Sequence, residues 1–352
     1  MLDDASLEIK KQIGLTSAES PKRASILLAK GSSEAMMLYN EGVNHLNLGN
    51  DLSALQFLEK AEQKKPENAL LQATLSVVNR NLGREDRSQQ HARLAKELLS
   101  DNLSVLDSHF VQATYATSIY DYETAIRLYK QLLGIYPDSS ELYYRLGLVH
   151  EEASSYQDAL ECLKHAIDLD LKFAPAYLRM AILYLYQDKH DSALGYAKEA
   201  LRLYSEIANS EGRARAFSTI GKIYQGQTDY PEAKQAFEQA LQIDRALQNN
   251  SGIAHDLRNV AISYMEQGNL QEASEPLQQA HDLYRSLCDR LSLAYMDIEV
   301  GNAKMRFGEY EAALEPYFKA LKASGELKNS RLLADSHDRL GQAYNYLENY
   351  PQ

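Results

Sequence analysis

Residues 35–66 read AMMLYNEGVNHLNLGNDLSALQFLEKAEQKKP, and the spacing inside this stretch decides the fold. With Ala35 as place 1, Leu38 is place 4, Gly42 place 8, His45 place 11 and Gly49 place 15. Ala54, Leu58, Ala61 and Pro66 follow at places 20, 24, 27 and 32. The same grid fits from Ser140, with Tyr143, Leu146, Gly147, Ala159, Leu163 and Ala166, and from Ala214, with Phe217, Ile220, Gly221, Tyr224, Ala233, Phe237 and Ala240. Sliding it along the chain gives unit starts at 35, 69, 106, 140, 174, 214, 254, 294 and 334, so the period is 34 to 37 early and 40 later.

A fixed period of this size marks a repeat architecture. Each unit carries two apolar stripes at helical spacing, such as Tyr177, Met180, Ala181 and Tyr184, then Ala193, Ala197 and Ala200. Short breaks separate the stripes at Gly49-Asn50, Thr228-Asp229, Gly268-Asn269 and Gly308-Glu309, where a left-handed residue can end a helix. Small residues at places 8, 20 and 27 let two helices approach, while large ones at places 4, 11 and 24 fill the space between them. One helical pair buries too little apolar area to stand alone, so successive pairs must stack. The expected fold is all-α, a solenoid of helix-turn-helix units.

On these residues the chain resembles the tetratricopeptide repeat (TPR) family, whose bulky–Leu–Gly–Tyr, Ala, Phe, Ala and Pro positions most units meet. The resemblance implies a right-handed TPR superhelix. The second and third units depart most, with Ser88 and Gln112 where apolar residues are usual. The layout divides into residues 1–34 outside the repeats, 35–173 with the short period, and 174–352 with the 40-residue period, the last unit cut short. In residues 1–34, LDDASLEIKKQIGL reads as a helix ending at Gly14, followed by a looser stretch and a second short helix. Six extra residues per long unit add about 9 Å of helix. Pro231 falls just inside a second helix, where its missing N–H costs little, whereas Pro276 and Pro316 sit deeper and are expected to delay or kink theirs. The half unit at the end suggests a piece of a longer chain.

Composition narrows the function. The 352 residues carry a formal net charge of −12, with 45% apolar and 24% charged residues, which suits a folded protein and not a nucleic-acid or anionic-membrane binder. No stretch approaches the roughly 18 apolar residues of a membrane span. Cys162 and Cys288 are too few and too far apart for a disulfide framework. No HExxH, CxxC, GxGxxG, GxxxxGK[ST] or GxSxG motif occurs. His45, His109 and His150 stand at places that call for packing, not ligation. Neither catalysis nor a cofactor or metal is expected.

What remains is a binding surface. The resemblance places the first helices on the concave face, with places 2, 5, 6, 9, 12 and 13 pointing into it. From residue 214 onward those places hold Arg215, Lys222, His255, Arg258, Asn259, Tyr295, Asn302, Arg306, Arg339 and Gln342. Carboxamides can bond the backbone of an extended peptide and arginines can hold carboxylates. Glu299, Asp335 and Asp338 share the face, so it is mixed in charge. In the short block and first long unit the equivalent places are more apolar, including Tyr39, Phe110, Leu178 and Tyr186, which would suit an amphipathic helix or apolar peptide. The chaperone-tail clamp of some TPR domains is absent, with Tyr39 and Val43 in two of its places. The expected role is a non-catalytic module that binds a protein or peptide in its groove. Its layout resembles the TPR regions of large bacterial signalling proteins, among them eukaryotic-type serine/threonine kinases, adenylate cyclases and TPR-bearing transcription activators. A stand-alone scaffold bridging proteins is the alternative.

Overall fold

The computed structural model describes residues 33–349 apart from 101, 102, 288 and 328. The helices expected within residues 1–34 lie outside the described residues, save for the start of the first repeat helix. Among the described residues there are seventeen α-helices and no strand. In the first part of the chain they are α1 (Glu34–Asn47), α2 (Asp51–Lys64), α3 (Ala69–Asn81), α4 (Glu85–Glu97), α5 (Val105–Ser118), α6 (Tyr122–Ile135), α7 (Ser140–Glu152), α8 (Tyr156–Leu169) and α9 (Ala174–Tyr186). Then come α10 (His190–Glu206), α11 (Ser210–Gly226), α12 (Tyr230–Ala246), α13 (Asn250–Glu266), α14 (Leu270–Ser286), α15 (Arg290–Arg306), α16 (Tyr310–Glu326) and α17 (Ser330–Asn349). The chain forms an all-α solenoid of helical pairs.

Close approach at place 8 makes each pair. A Cβ added to Gly42 would sit 2.6 Å from Leu58 Cγ, one on Gly221 2.6 Å from Phe237 Cε1, and one on Gly301 2.3 Å from Tyr317 Cε1. Places 8 and 24 therefore interlock across the two helices, and only a missing side chain permits the contact. In the second repeat the adjacent contact, of place 8 with place 20, is polar. Ser88, at place 20, is fully buried, and its hydroxyl bonds that of Ser76 at place 8 across 3.2 Å, so a satisfied polar pair replaces the apolar one.

The turns also follow from the backbone. Gly49, Gly268 and Gly308 have φ of 78°, 79° and 79°, where a glycine costs least, and Thr228 reaches 61°. Pro231 stands in the first turn of α12, as its missing N–H allows. Pro276 and Pro316 do not delay their helices. Each is the seventh residue of its helix, and α14 and α16 begin on schedule at Leu270 and Tyr310. A single lost hydrogen bond is outweighed by the packing of Ala273, Leu277, Ala313 and Tyr317 on either side, all buried.

The described residues divide into two compact units, one comprising 33–187 with 195–212, the other 188–194 with 213–349. In the first, successive clusters are built around Leu58 and Leu75, then Leu132 and Leu142, then Leu163 and Leu183. Helices α1 to α9 are 13 or 14 residues long. In the second, clusters form around Leu257, Ala261 and Leu277 and around Ile298, Tyr317 and Leu340, and α12 to α16 are each 17 residues long. The six added residues of the long period thus fall about three to each helix. First helices of successive pairs touch one another, α3 with α5 in one unit and α13 with α15 and α15 with α17 in the other. First helices accordingly share one face of each unit.

Candidate binding groove

The 40-residue period puts equivalent residues of α13, α15 and α17 on successive rungs. Place 9 holds Ile262, Asn302 and Gln342, and place 13 holds Glu266, Arg306 and Tyr346. Between these helices and α16 lies a concavity of about 400 Å³. Its apolar lining is Ile262, Met265 and Met305, its aromatic lining Tyr310, Tyr317 and Tyr346, and its polar lining Glu266, Glu299, Asn302, Arg306, Arg339 and Gln342. Tyr310 and Tyr346 stack with centroids 5.1 Å apart.

Its polar groups are held in fixed orientations. The Tyr317 hydroxyl donates to Asn302 Oδ1 at 2.9 Å, and Asn302 Nδ2 donates to Glu299 Oε2 at 3.2 Å. Arg258 reaches across from α13 to Glu299 Oε1 at 2.7 Å. Arg306 runs the opposite way, donating to the Met265 carbonyl at 2.9 Å and pairing with Glu266. These two arginines tie α13 to α15, so much of their donor capacity serves the groove wall. On α17 the Arg339 guanidinium lies 3.4 Å from both Asp335 and Gln342, and Gln342 donates to Asp338 at 2.8 Å. Gln342 is exposed and Arg339 half-buried.

A second cluster lies at the start of the same face, on α11, α12 and α13. Asp256 is 1% exposed and accepts a hydrogen bond from Ser218, while its other carboxylate oxygen is buried with no hydrogen-bond donor. Burial pushes its carboxyl up to about 8, and the nearby Asp244, itself raised by burial, adds to this. His255 is half-buried beside it and held neutral, because burial, and then the Lys222 and Arg258 charges, disfavour its protonation. Asn259 is buried, its amide nitrogen 3.1 Å from His255 Nδ1. Lys222 is exposed, with no ion-pair partner among the described residues; desolvation in this walled position, and then Arg258, lower its ammonium below the usual range. Arg215 is half-buried and faces Asp244 electrostatically.

The expected site residues thus separate. Asn302, Arg306, Arg339 and Gln342 share one concavity. Lys222, His255, Arg258 and Asn259 form the neighbouring cluster, with Asn259 directed inward, and Tyr295 packs against the core cluster of α15 to α17. Selection of polar residues alone passed over the apolar half of the site: Ile262 at place 9 and Met265 and Met305 at place 12 stand at groove places in the same repeats. Tyr317 was legible only as a packing residue at place 24. In the first unit, Tyr39, Phe110 and Leu178 are 5%, 0% and 7% exposed, so they fill the core; Tyr186 is exposed. His45 stacks on Phe57 and His150 is buried, in keeping with packing roles. Cys162 is half-buried, and burial pushes its thiol up to about 11, far from an activated nucleophile.

A helical-repeat scaffold with a mixed apolar and polar inner face is a protein-interaction module. Sequence models of the tetratricopeptide repeat match residues 110–170, 173–246 and 257–290. The chain is a tetratricopeptide-repeat protein. Human DnaJ homolog subfamily C member 7 is 30% identical over 95 residues, covering 26% of this chain and 18% of that protein. The peroxisomal targeting signal receptor of Saccharomyces cerevisiae is 23% identical over 184 residues, 48% of this chain and 28% of the receptor. The chain spans well under a third of each of these relatives. The crystal structure of Rap protein complexed with competence and sporulation factor shares the fold, with a TM-score of 0.57 at 15% identity over 80% of this chain and 87% of that one.

Proposed function

We propose that the 40-residue block binds a protein or peptide segment along its inner face, anchored in the concavity between α13 and α17. The observation that carries this is the pairing, in one hollow, of an apolar floor (Ile262, Met265, Met305) with carboxamides and internally paired charges. Such a floor suits an uncharged side chain, and a carboxamide beside it can bond the peptide backbone. The acids and bases of the hollow neutralise one another, so no charged ligand is called for. In this role the module performs no catalysis. It acts as the sensing or interaction arm of a larger bacterial signalling protein, an assignment supported by the order of short and long repeats.

A random peptide library displayed on phage and panned against the chain tests the binding role. Enriched sequences are expected to share an uncharged bulky residue. They should bind Arg339→Ala/Gln342→Ala about tenfold more weakly, the worth of one or two hydrogen bonds, with helix content unchanged by circular dichroism. Peptides that bind this variant as well as the parent would overturn the site, and the absence of any enrichment would overturn the role.

A further inference from the structure

In a solenoid each repeat touches only its neighbours in sequence. The first unit departs from that pattern, modestly where Arg80 of the second repeat pairs with Glu152 of the fourth, and most widely where two turns meet. The turn between α1 and α2 meets the turn between α10 and α11, about 160 residues away: Asn209 Nδ2 donates to the Leu48 carbonyl at 2.8 Å, and the Leu52 amide lies 3.1 Å from each Glu211 carboxylate oxygen. Asn209 is 3% and Glu211 7% exposed, so the side-chain half of the contact is buried.

The chemistry of helix ends explains the fit. The last carbonyls and first amides of a helix have no partner within it. Leu48 caps the C-terminal end of α1, and Leu52 is the second residue of α2, whose N-cap Asn50 makes no side-chain bond to it. Glu211 supplies the missing acceptor from across the unit and places a carboxylate at the positive end of α2. Asn209 serves two helices at once: its Oδ1 accepts the Gly212 amide at 2.7 Å, capping α11, which leaves Nδ2 free for Leu48. Behind the turn, buried Asp51 accepts from Asn81 Nδ2 at 2.8 Å and pins the same segment to α3. A charge-assisted bond shielded from water is among the stronger kinds.

We propose that these two turns form a latch that closes the first unit on itself, so that its inner face is withdrawn from ligands until the latch opens. The latch is independent of the binding role proposed for the second unit.

The Leu52 amide provides a direct reporter, because Glu211 is its hydrogen-bond acceptor. In hydrogen exchange of the full chain followed by NMR, Leu52 should be protected. Glu211→Ala should accelerate its exchange by about 10- to 100-fold, the worth of a bond to a charged group, while amides in α12 to α17 keep their rates. Glu211→Gln, which preserves size, should give a smaller acceleration and guards against a folding defect. A second readout is electron–electron distance measurement between spin labels at Leu48→Cys and Ile207→Cys, both exposed positions, with Cys162 and Cys288 replaced by Ser. A single short distance is expected, broadening to longer values when Asn209→Ala/Glu211→Ala is added. Free exchange of Leu52 in the parent protein, protection that survives Glu211→Ala, or a distance unchanged in the double variant would each overturn the latch.

Discussion

The two units use one interlocking rule and put their inner faces to opposite uses. In the first, helices of 13 or 14 residues bring their inner side chains into the core, and charges there are sealed in. Arg145 is 7% exposed, bonds Glu141 at 2.8 Å and lies over the Phe110 ring, its guanidinium carbon 5.2 Å from the centroid. In the second, 17-residue helices leave a hollow ringed by half-buried pairs such as Arg258–Glu299. Lengthening each helix by about three residues keeps the places 8 and 24 contact and adds surface elsewhere. The packing code is thus separable from the inner face, which can vary while the scaffold stays constant.

The largest effect expected from this contrast is on buried charge. Arg145→Ala breaks a pair whose arginine is buried, leaving Glu141 without its partner, and should cost about 3–5 kcal/mol. Arg258→Ala removes a half-buried pair whose arginine is more exposed than Arg145, and should cost less, about 1–2 kcal/mol. Urea unfolding of the two variants measures the difference, and equal losses would erase the distinction between the faces.

Next in size is the pH response of Asp256 in the second unit. Asp256 ionises near 3.8 in an unfolded chain but keeps its proton to about 8 in the fold. The folded state therefore holds the extra proton between those values, and stability falls as pH rises from about 4 to about 8. Asp244, whose carboxyl is also raised by burial, adds to the loss over the same range. Asp256→Asn should flatten the profile of stability against pH. A slope unchanged in that variant would assign the response to another group.

What was legible in the sequence follows the same division. Places 8, 20, 24 and 27 fix contacts within one pair, so Gly42 with Leu58 and Gly301 with Tyr317 could be read locally. Turns at Gly49, Gly268 and Gly308 announce themselves by residue type. Tyr120, Ser154, Asp188, Ala208 and Gln248 adopt the same left-handed backbone with no such signal, because packing of the flanking helices imposes it. The groove places came from the family resemblance, yet which arginines were already engaged by Glu266 or Glu299 depended on neighbours 40 residues away. The Glu211–Leu52 contact spans 159 residues and leaves no local trace.

Smaller effects test the packing rule itself. Gly301→Ala forces a methyl to within 2.3 Å of the Tyr317 ring and should cost about 1–3 kcal/mol. Gly341 occupies the same place in the last unit, inside α17, and a Cβ built there meets nothing within 4 Å. Alanine in that open position should stabilise the second unit by about 0.5–1 kcal/mol, because glycine loses more backbone freedom in a helix than alanine does. Thermal melts of the two single variants should therefore move in opposite directions. A loss at both positions would mean that some surface packs on α17 as Tyr317 packs on α15, and the sign at Gly341 would then report the presence of that partner.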